Sequence, residues 1–436
     1  MRRLPVSGLS GHGWAQGLWE GGRFPQAAAL DAVAPENPVL LRAKSGHAAW
    51  VNSLALRIAG IDAQTPDPAG GSIGRDASGQ PDGVLFETAM ELVRQHIPEQ
   101  TTEQLVAQMK VAQAQALAAG LTGFHDFDGP ECLRALQILR ERGELALRAV
   151  KNINKEWIEH AHALGLRWGF GDPWLRLGGL KIFADGALGP LTAWMIAPYA
   201  GDPANMGICV TDPEEMVALV SRASAAGLPS TIHAIGDRAV REVLNVYETV
   251  RKEEALRGDP PATRRHRIEH VQIVHPDDIN RLAELDLIAS MQPVHATSDY
   301  EVADRHWGER CQWAYNPRMQ LDRGVTVAFG SDSPIDPFAP LPNLYAAVAR
   351  RRLDGSPGPE GWYPQAKVTV EEALRGFTRG PAYAAGLERQ AGQLAPGFLA
   401  DLVVLDRDLL RVPVDEIPDI TIQATMVEGQ WRFGGI

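Results

Sequence analysis

Two histidines end predicted strands that follow one another along the chain. His233 follows the run Thr231-Ile232, and His270 follows an apolar and polar alternation that begins near residue 266. Parallel strands present their carboxyl ends at one edge of a barrel, so both imidazoles are expected at the same rim. Imidazoles and carboxylates are the usual ligands of catalytic zinc. Either histidine alone could be a hydrogen-bonded residue packed under a loop, but the pair favours a metal site.

A carboxylate and a lysine extend this candidate site. Asp332 follows the last predicted barrel strand, where a carboxylate could bind a metal ion, accept a proton from water, or cap a turn. Lys181 lies within the apolar run 180–183, where an unpaired ammonium would be unfavourable. The lysine could pair with Asp185, extend to the rim, or react with carbon dioxide to give an anionic carbamate that bridges two metal ions.

Seven predicted strands position these residues. From about residue 120 onward, short apolar runs alternate with helical segments, which is typical of parallel strands joined by crossover helices in the α/β class. The strands are 123–126, 147–150, 180–185, 231–234, 266–270, 287–291 and 325–330. A (β/α)8 barrel carries its active site at the carboxyl ends of its strands. The sequence therefore predicts a barrel of this type, although one strand short of eight.

Composition narrows the class of protein. A net charge of −12 without a basic, aromatic-interleaved stripe argues against nucleic acid binding, and no apolar run approaches the ~20 residues of a membrane span. The cysteines, Cys132, Cys209 and Cys311, are odd in number and far apart, which argues against disulfides. The first residues lack the apolar segment of a secretory signal. We predict a cytoplasmic protein, able to form homo-oligomers, whose partner is a small molecule.

Four motifs occur in a fixed order along the chain. They are GLKIFADGALG at 179–189, HAIGDRA at 233–239, RIEHVQ at 267–272 and GSDSP at 330–334. Together they closely resemble the amidohydrolase superfamily, specifically the branch of N-substituted formamide deformylase-like metal-dependent hydrolases, amidohydrolase family 3. Similar segments, GHAAWVN at 46–52 and ADLVVL at 400–405, extend the resemblance over almost the whole chain.

The resemblance implies roles for the candidate residues. Lys181 would be the carboxylated lysine that bridges one or two divalent metal ions, with zinc as the expected metal. His233 and His270 would bind one ion, and Asp332 would bind the other and act as the catalytic proton acceptor. Activated water would then attack a small amide-like substrate. Three further residues, His295, Arg318 and Trp194, are weaker candidates for substrate contact.

In one respect the chain departs from the family pattern. Members carry a first barrel strand that ends in His-x-His, and only His160 and His162 have that spacing here. They lie in a predicted helix, where residues two apart do not share a face. Elsewhere in the first part of the chain, His12, His47 and His125 have no such partner.

A truncated amino terminus would account for the absent strand and for a missing part of a small β-sandwich. On this hypothesis, residues 1–98 form an inserted, loop-rich subdomain of the barrel, 99–390 form the hydrolase barrel without its first strand, and 391–436 form the remaining part of the small β-sandwich domain.

The predicted function is hydrolysis of a non-peptide C–N bond, amide or formamide-like, by metal-activated water. Because the His-x-His pair is absent, the chain could instead be a catalytically impaired or non-catalytic remnant of such an enzyme. A related metal hydrolase acting on an ester or phosphoester is a third interpretation, and a panel of carbonyl and phosphoryl substrates would separate it from the first.

Overall fold

The first of three sheets is formed by the amino-terminal part of the chain. The computed structural model describes residues 8–97 and 100–435. Five strands lie in the order β1-β2-β3-β5-β4, with β1 and β2 parallel and the other pairs antiparallel. They are β1 (Leu9–Trp14), β2 (Val39–Ala43), β3 (Ala48–Val51), β4 (Gly71–Arg75) and β5 (Pro81–Glu87), accompanied by the helices α1 (Ala27–Asp31), α2 (Ser53–Ile58) and α3 (Glu91–Arg94).

This region holds more regular structure than the loop-rich subdomain that its Gly, Pro and Trp content predicted. The composition is misleading because several glycines lie at turns that join strands. Gly46 between β2 and β3 has a φ of 78°, and Gly79 between β4 and β5 has a φ of 80°. Glycine adopts such left-handed conformations without steric penalty.

The second sheet contains all seven predicted barrel strands. They run parallel in the order β12-β11-β10-β9-β8-β7-β6, so neighbours in the chain are neighbours in the sheet. This curled sheet fits a TIM-type barrel, and within the described residues β6 and β12 are its two edges. The strands are β6 (Gly123–Asp126), β7 (Arg148–Asn154), β8 (Leu175–Phe183), β9 (Ser230–Ala234), β10 (Arg267–His270), β11 (Ile288–Met291) and β12 (Thr326–Phe329).

Helices connect these strands and cover the sheet. Within the described ranges, no helix is both long enough and apolar enough to cross a bilayer. The α-helices are α4 (Thr102–Ala118), α5 (Pro130–Glu141), α6 (Ile158–Ala163), α7 (Pro213–Ala225), α8 (Asp237–Arg257), α9 (Arg281–Glu284), α10 (Pro293–Trp307), α11 (Pro317–Leu321), α12 (Pro340–Ala349) and α13 (Val370–Ala385). Short 3-10 helices lie at Gln16–Leu18, Glu20–Gly22, Thr88–Met90, Lys155–Trp157, Pro261–Thr263, Pro276–Asp278, Gly308–Trp313, Pro364–Ala366 and Val414–Asp419.

Local sequence explains where the helices begin. Capping boxes, in which a threonine and a residue three positions later bond each other's backbone N–H, start α4 at Thr101 and α13 at Thr369. At α7 the capping residue is Asp212, whose carboxylate accepts the N–H of Glu214 at 2.8 Å. His160 and His162 lie in α6, which confirms that this pair does not end a strand.

The alternation of side chains along the barrel strands separates the apolar core from the barrel interior. Leu180 and Ile182 of β8 are fully buried in the largest apolar cluster, together with residues of α7 and α8. Lys181, between them, points to the opposite face, because successive residues of a strand alternate. The register pairs Phe183 with His233, so the interior also receives the side chain of His233.

The third sheet is formed by the last part of the chain, where the sequence predicted a small β piece. It is antiparallel, with β13 (Leu402–Leu405), β14 (Ile422–Val427) and β15 (Gln430–Gly434) in that order. Arg148 of β7 forms an ion pair with Asp401, just before β13, and its Nη2 donates to Oδ1 at 2.9 Å. The assignment of these strands to one part of a small β-sandwich domain remains a prediction.

Replacing Asp401 with alanine is expected to lower the free energy of unfolding by about 3–5 kcal/mol, because it would leave the buried Arg148 guanidinium, 6% exposed, without its partner. Urea unfolding followed by circular dichroism would measure the loss. Glu103→Ala, which removes the exposed ion pair with Arg142, is the control and should barely move the midpoint. Equal shifts in the two variants would contradict the expectation.

Candidate metal centre

The rings of His233 and His270 meet at the carboxyl ends of β9 and β10. Their centroids are 4.5 Å apart, with an interplanar angle of 76°. The Nε2 of His233 donates to the carbonyl oxygen of Gly186 at 2.9 Å, and the Nδ1 of His270 donates to Oε1 of Gln292 at 2.8 Å. Each neutral ring therefore keeps one nitrogen lone pair free, Nδ1 in His233 and Nε2 in His270. This arrangement is the one that metal-binding histidines adopt.

A break in the strand alternation turns His270 toward this site. Its register partner is Ala234, whose side chain is buried in the apolar core cluster. Regular backbone would therefore direct His270 away from the barrel interior. However, His270 and the following Val271 have φ values of 77° and 45°. Such conformations are disfavoured by about 1–3 kcal/mol for each residue other than glycine, and they concentrate at functional sites.

The surroundings keep both imidazoles neutral. Burial is the main cause that holds the pKa of His233 well below its usual 6.5, and the neighbouring His270 acts in the same direction. Burial likewise lowers the pKa of His270, followed by the effect of His295. Neutral imidazole is the form that binds metal ions.

Lys181 lies within this interior without a carboxylate partner. It is 4% exposed, and its Nζ is 4.3 Å from the ring centroid of Phe183 and 4.9 Å from that of Phe127. Among the described residues it forms no salt bridge. Burial lowers the pKa of Lys181 to about 8, although Glu269 and then Asp332 oppose the shift. The amine is thus more readily deprotonated than that of an ordinary lysine.

Pairing of Lys181 with Asp185, one of the alternatives from sequence, is wrong, because backbone groups occupy the aspartate. Its Oδ2 accepts the N–H groups of Trp194 and Gly236, both at 2.8 Å, and its Oδ1 accepts that of Ile235 at 3.0 Å. Burial raises the pKa of Asp185 to about 7 despite these bonds. Asp185 therefore fixes the loops that follow β8 and β9.

Asp332 and His295 lie close to His270. Ligand atoms of His270, His295 and Asp332 all lie within 4.8 Å of one another, close enough to hold a metal ion. The Nε2 of His295 is 4.0 Å from Oδ2 of Asp332 and 3.5 Å from Oδ2 of Asp336, and it has no hydrogen-bond partner among the described residues. Desolvation raises the pKa of Asp332, whereas His295 and Lys181 act against this shift.

The amino-terminal sheet contributes a residue that the sequence analysis set aside. His47, which follows the turn between β2 and β3, has its ring centroid 5.0 Å from that of His233. Its Nδ1 lies 2.8 Å from Oε2 of Glu87. Burial lowers the pKa of His47, but Glu87, together with Asp185 and Asp332, outweighs burial, so the pKa is raised. The GHAAWVN motif was the available signal, but nothing in it indicates which side chain reaches the barrel.

The three weaker candidates for substrate contact lie in different parts of the structure. His295 is adjacent to the metal-ligand candidates, as described. The Trp194 backbone lies at the same rim, and its indole packs under Arg238, whose guanidinium carbon is 4.7 Å from the ring centroid. Arg318 is not brought to the site: its guanidinium pairs with Asp322 and Glu372 on the helices α11 and α13. These ion pairs account for Arg318 without a substrate.

A second group of possible ligands, Asp126, Asp128 and Cys132, lies at the end of β6. A side-chain ammonium already occupies it, because Nζ of Lys151 is 2.6 Å from Oδ1 of Asp126. The Cys132 thiol also donates to Oδ2 of Asp126, at 3.2 Å. This group therefore has its positive charge supplied by the protein.

Comparison with known proteins places these features in context. A family model described as "Amidohydrolase family" matches residues 6–433. YtcJ of Bacillus subtilis, provisionally named an amidohydrolase, is 33% identical over 98% of this chain and 80% of its own length. The N-substituted formamide deformylase of Arthrobacter pascens is 31% identical over 94% of this chain and 76% of its own. An uncharacterized metal-dependent hydrolase from Pyrococcus horikoshii has a TM-score of 0.73 at 30% identity, covering 93% of this chain and 78% of that one.

Proposed function

The chain belongs to the amidohydrolase family, as its motifs indicated, and from this premise we propose that it hydrolyses a non-peptide C–N bond in a small amide or formamide-like substrate. The observation that carries the proposal is the pair His233 and His270, with rings 4.5 Å apart and one free lone pair each. Relatives that include a named deformylase do not favour the alternative of a non-catalytic remnant.

The donor set fits a divalent metal ion. Two neutral imidazoles with an adjacent carboxylate are typical of catalytic zinc sites, and Lys181 could add an anionic carbamate that allows a second ion to bind. His295 offers a further buried nitrogen beside Asp332. When bound, the metal supplies Lewis-acid polarisation of a carbonyl and a lower pKa for water.

Side chains of the site carry the remaining steps. Asp332 accepts the proton from the attacking water as the new C–O bond forms, and then returns it to the leaving nitrogen as the C–N bond breaks. Gly186 and Gln292 keep the two imidazoles in the metal-binding tautomers.

The metal content of the protein tests this proposal first. Protein purified without chelators should contain one or two divalent ions per chain by inductively coupled plasma mass spectrometry, and His233→Ala/His270→Ala should contain almost none, because both lone pairs are lost. His160→Ala/His162→Ala is the matched control, since it also removes two histidines but from the exposed side of a helix. Metal contents that do not differ between the two double variants would contradict the assignment.

The reaction itself requires a substrate panel. Metal-loaded protein should hydrolyse N-substituted formamides, other N-acyl amines or cyclic amides faster than matched carboxylic and phosphate esters. Circular dichroism should show the same secondary structure in all variants, so that a loss of activity is not a loss of folding. Turnover of phosphate esters alone would replace the proposed reaction with a phosphoryl one.

A further inference from the structure

The turn between β2 and β3 lies over the barrel site. Nζ of Lys44 is 2.6 Å from Oδ1 of Asp336, which follows β12 and neighbours His295. Three residues later, the His47 ring lies 5.0 Å from that of His233 and 6.3 Å from that of Phe183. One short turn of the amino-terminal sheet thus approaches the candidate metal centre at two places, near His295 and near His233.

Two hydrogen bonds fix the position of the His47 ring. Oε2 of Glu87 is 2.8 Å from Nδ1, and Oε1 of Glu87 accepts the Thr192 hydroxyl at 2.6 Å. Glu87 is 8% exposed and has a φ of 51°, a conformation that is strained for glutamate. Gly186 leaves the space for it, because a Cβ at Gly186 would lie 2.2 Å from Oε1 of Glu87. The Glu87 carboxylate therefore orients the His47 ring.

These contacts leave Nε2 of His47 as a free hydrogen-bonding atom. It has no hydrogen-bond partner in the described part of the chain. In the neutral ring, whose Nδ1–H donates to Glu87, the Nε2 lone pair is an acceptor, and the contact therefore requires a pH above the raised pKa of His47. Other acceptors nearby are occupied: Asp185 by three backbone N–H groups and the Gly186 carbonyl by His233. Nε2 is thus one acceptor beside the candidate metal centre that is left for a ligand.

We propose that Nε2 of His47 accepts a hydrogen bond from the N–H of a secondary amide substrate, so that the β2–β3 turn selects amides by their nitrogen substituents. The inference rests on the proposed function and adds the substrate class. An amide offers one acceptor, its carbonyl oxygen, and one donor, its N–H. With the carbonyl oxygen at the candidate metal centre, His47 would bind the N–H and orient the scissile bond. Glu87 is the positioning residue.

Matched substrates test this contact. Each N-substituted formamide or N-acyl amine that the wild-type protein hydrolyses is paired with its N-methyl analogue, which lacks the N–H. His47→Phe should lower kcat/KM about 10-fold or more for the secondary amide, because a buried donor is left unpaired, and less than about 3-fold for the N-methyl analogue. Glu87→Gln should reduce the preference for the N–H substrate in the same way. Metal content should stay at the wild-type value in both variants.

Controls separate this contact from other roles. His12→Phe removes an exposed histidine from the same sheet and should change neither rate. His47→Gln, whose amide oxygen can accept a hydrogen bond, should recover part of the preference and serves if the Phe variant does not fold. Equal losses on both substrates, or loss of metal from the His47 variants, would overturn the contact while leaving the hydrolase function in place. Wild-type protein that contains metal but turns over no amide would overturn both proposals.

Discussion

Replacing Asp332 with asparagine should lower kcat by about 100- to 10,000-fold, the contribution that a positioned general base and acid makes. Asparagine keeps the shape of the side chain but cannot take a proton from water. His233 and His270 are unchanged, so the ion that they hold should remain bound. Steady-state kinetics on the best amide substrate, together with metal content by mass spectrometry, would measure both results.

The pH profile distinguishes loss of a proton acceptor from loss of packing. Asp332 accepts a proton only as the ionised carboxylate, so wild-type kcat should fall as the pH decreases through its pKa, which desolvation raises in the absence of metal. This acid limb should be missing from the residual activity of the asparagine variant. Asp336→Asn is the matched control: it alters a neighbouring carboxylate that already pairs with Lys44, and it should retain the acid limb. An acid limb that survives in Asp332→Asn would assign the proton transfer to another group.

Replacing Lys181 with methionine should remove at least one bound ion per chain and reduce kcat by about 100-fold or more, since loss of metal-activated water removes several kcal/mol of catalysis. Methionine fits the apolar surroundings formed by Phe127 and Phe183 but cannot become a carbamate. Metal content and kcat, measured with and without added bicarbonate, would test this. An unchanged metal content would exclude Lys181 as a ligand.

Carbamate formation can be observed directly. The neutral amine of Lys181 attacks carbon dioxide, a C–N bond forms, one C–O π pair moves to oxygen, and the amine proton passes to solvent. Because burial lowers the pKa of Lys181 to about 8, labelling by ¹³C-bicarbonate should increase as the pH rises toward that value. The ¹³C NMR signal of the carbamate should be absent from the spectrum of Lys181→Met and present in that of Lys151→Met. Lys151 is also a buried strand lysine, but it forms an ion pair with Asp126.

Much of the barrel follows from the sequence because its strands are short, apolar and separated by helices. All seven predicted strands are present, and the period of two along β8 places Lys181 inside the barrel. The approach of His233 to His270 was expected from strand order. The turn of His270 toward the interior was not, because it depends on positive φ values at His270 and Val271 that their residue types do not indicate.

The remainder of the site depends on contacts between distant parts of the chain. His47 is 186 positions from His233 in the chain, and its partner Glu87 ends β5 of the same amino-terminal sheet. A histidine in a Gly-rich region gives no local signal of such an approach. Arg318 is the opposite case, a residue that was expected at the site and lies elsewhere. It follows a barrel strand and was therefore a candidate for substrate contact, but its guanidinium forms ion pairs with Asp322 of the same helix and Glu372 of another. The roles of Lys181, His233, His270 and Asp332 as ligands stay predictions until metal is measured.

The contact of the β2–β3 turn with the barrel also makes catalysis depend on the packing of the amino-terminal sheet against the barrel sheet. Lys44 and His47 reach the site only while the amino-terminal sheet is seated against the loops after β8 and β12. Partial heating or mild denaturant that loosens this seating would leave the barrel's own histidines in place. The protein would then keep its metal ion yet lose its discrimination among substrates, so that selectivity becomes an early indicator of unfolding.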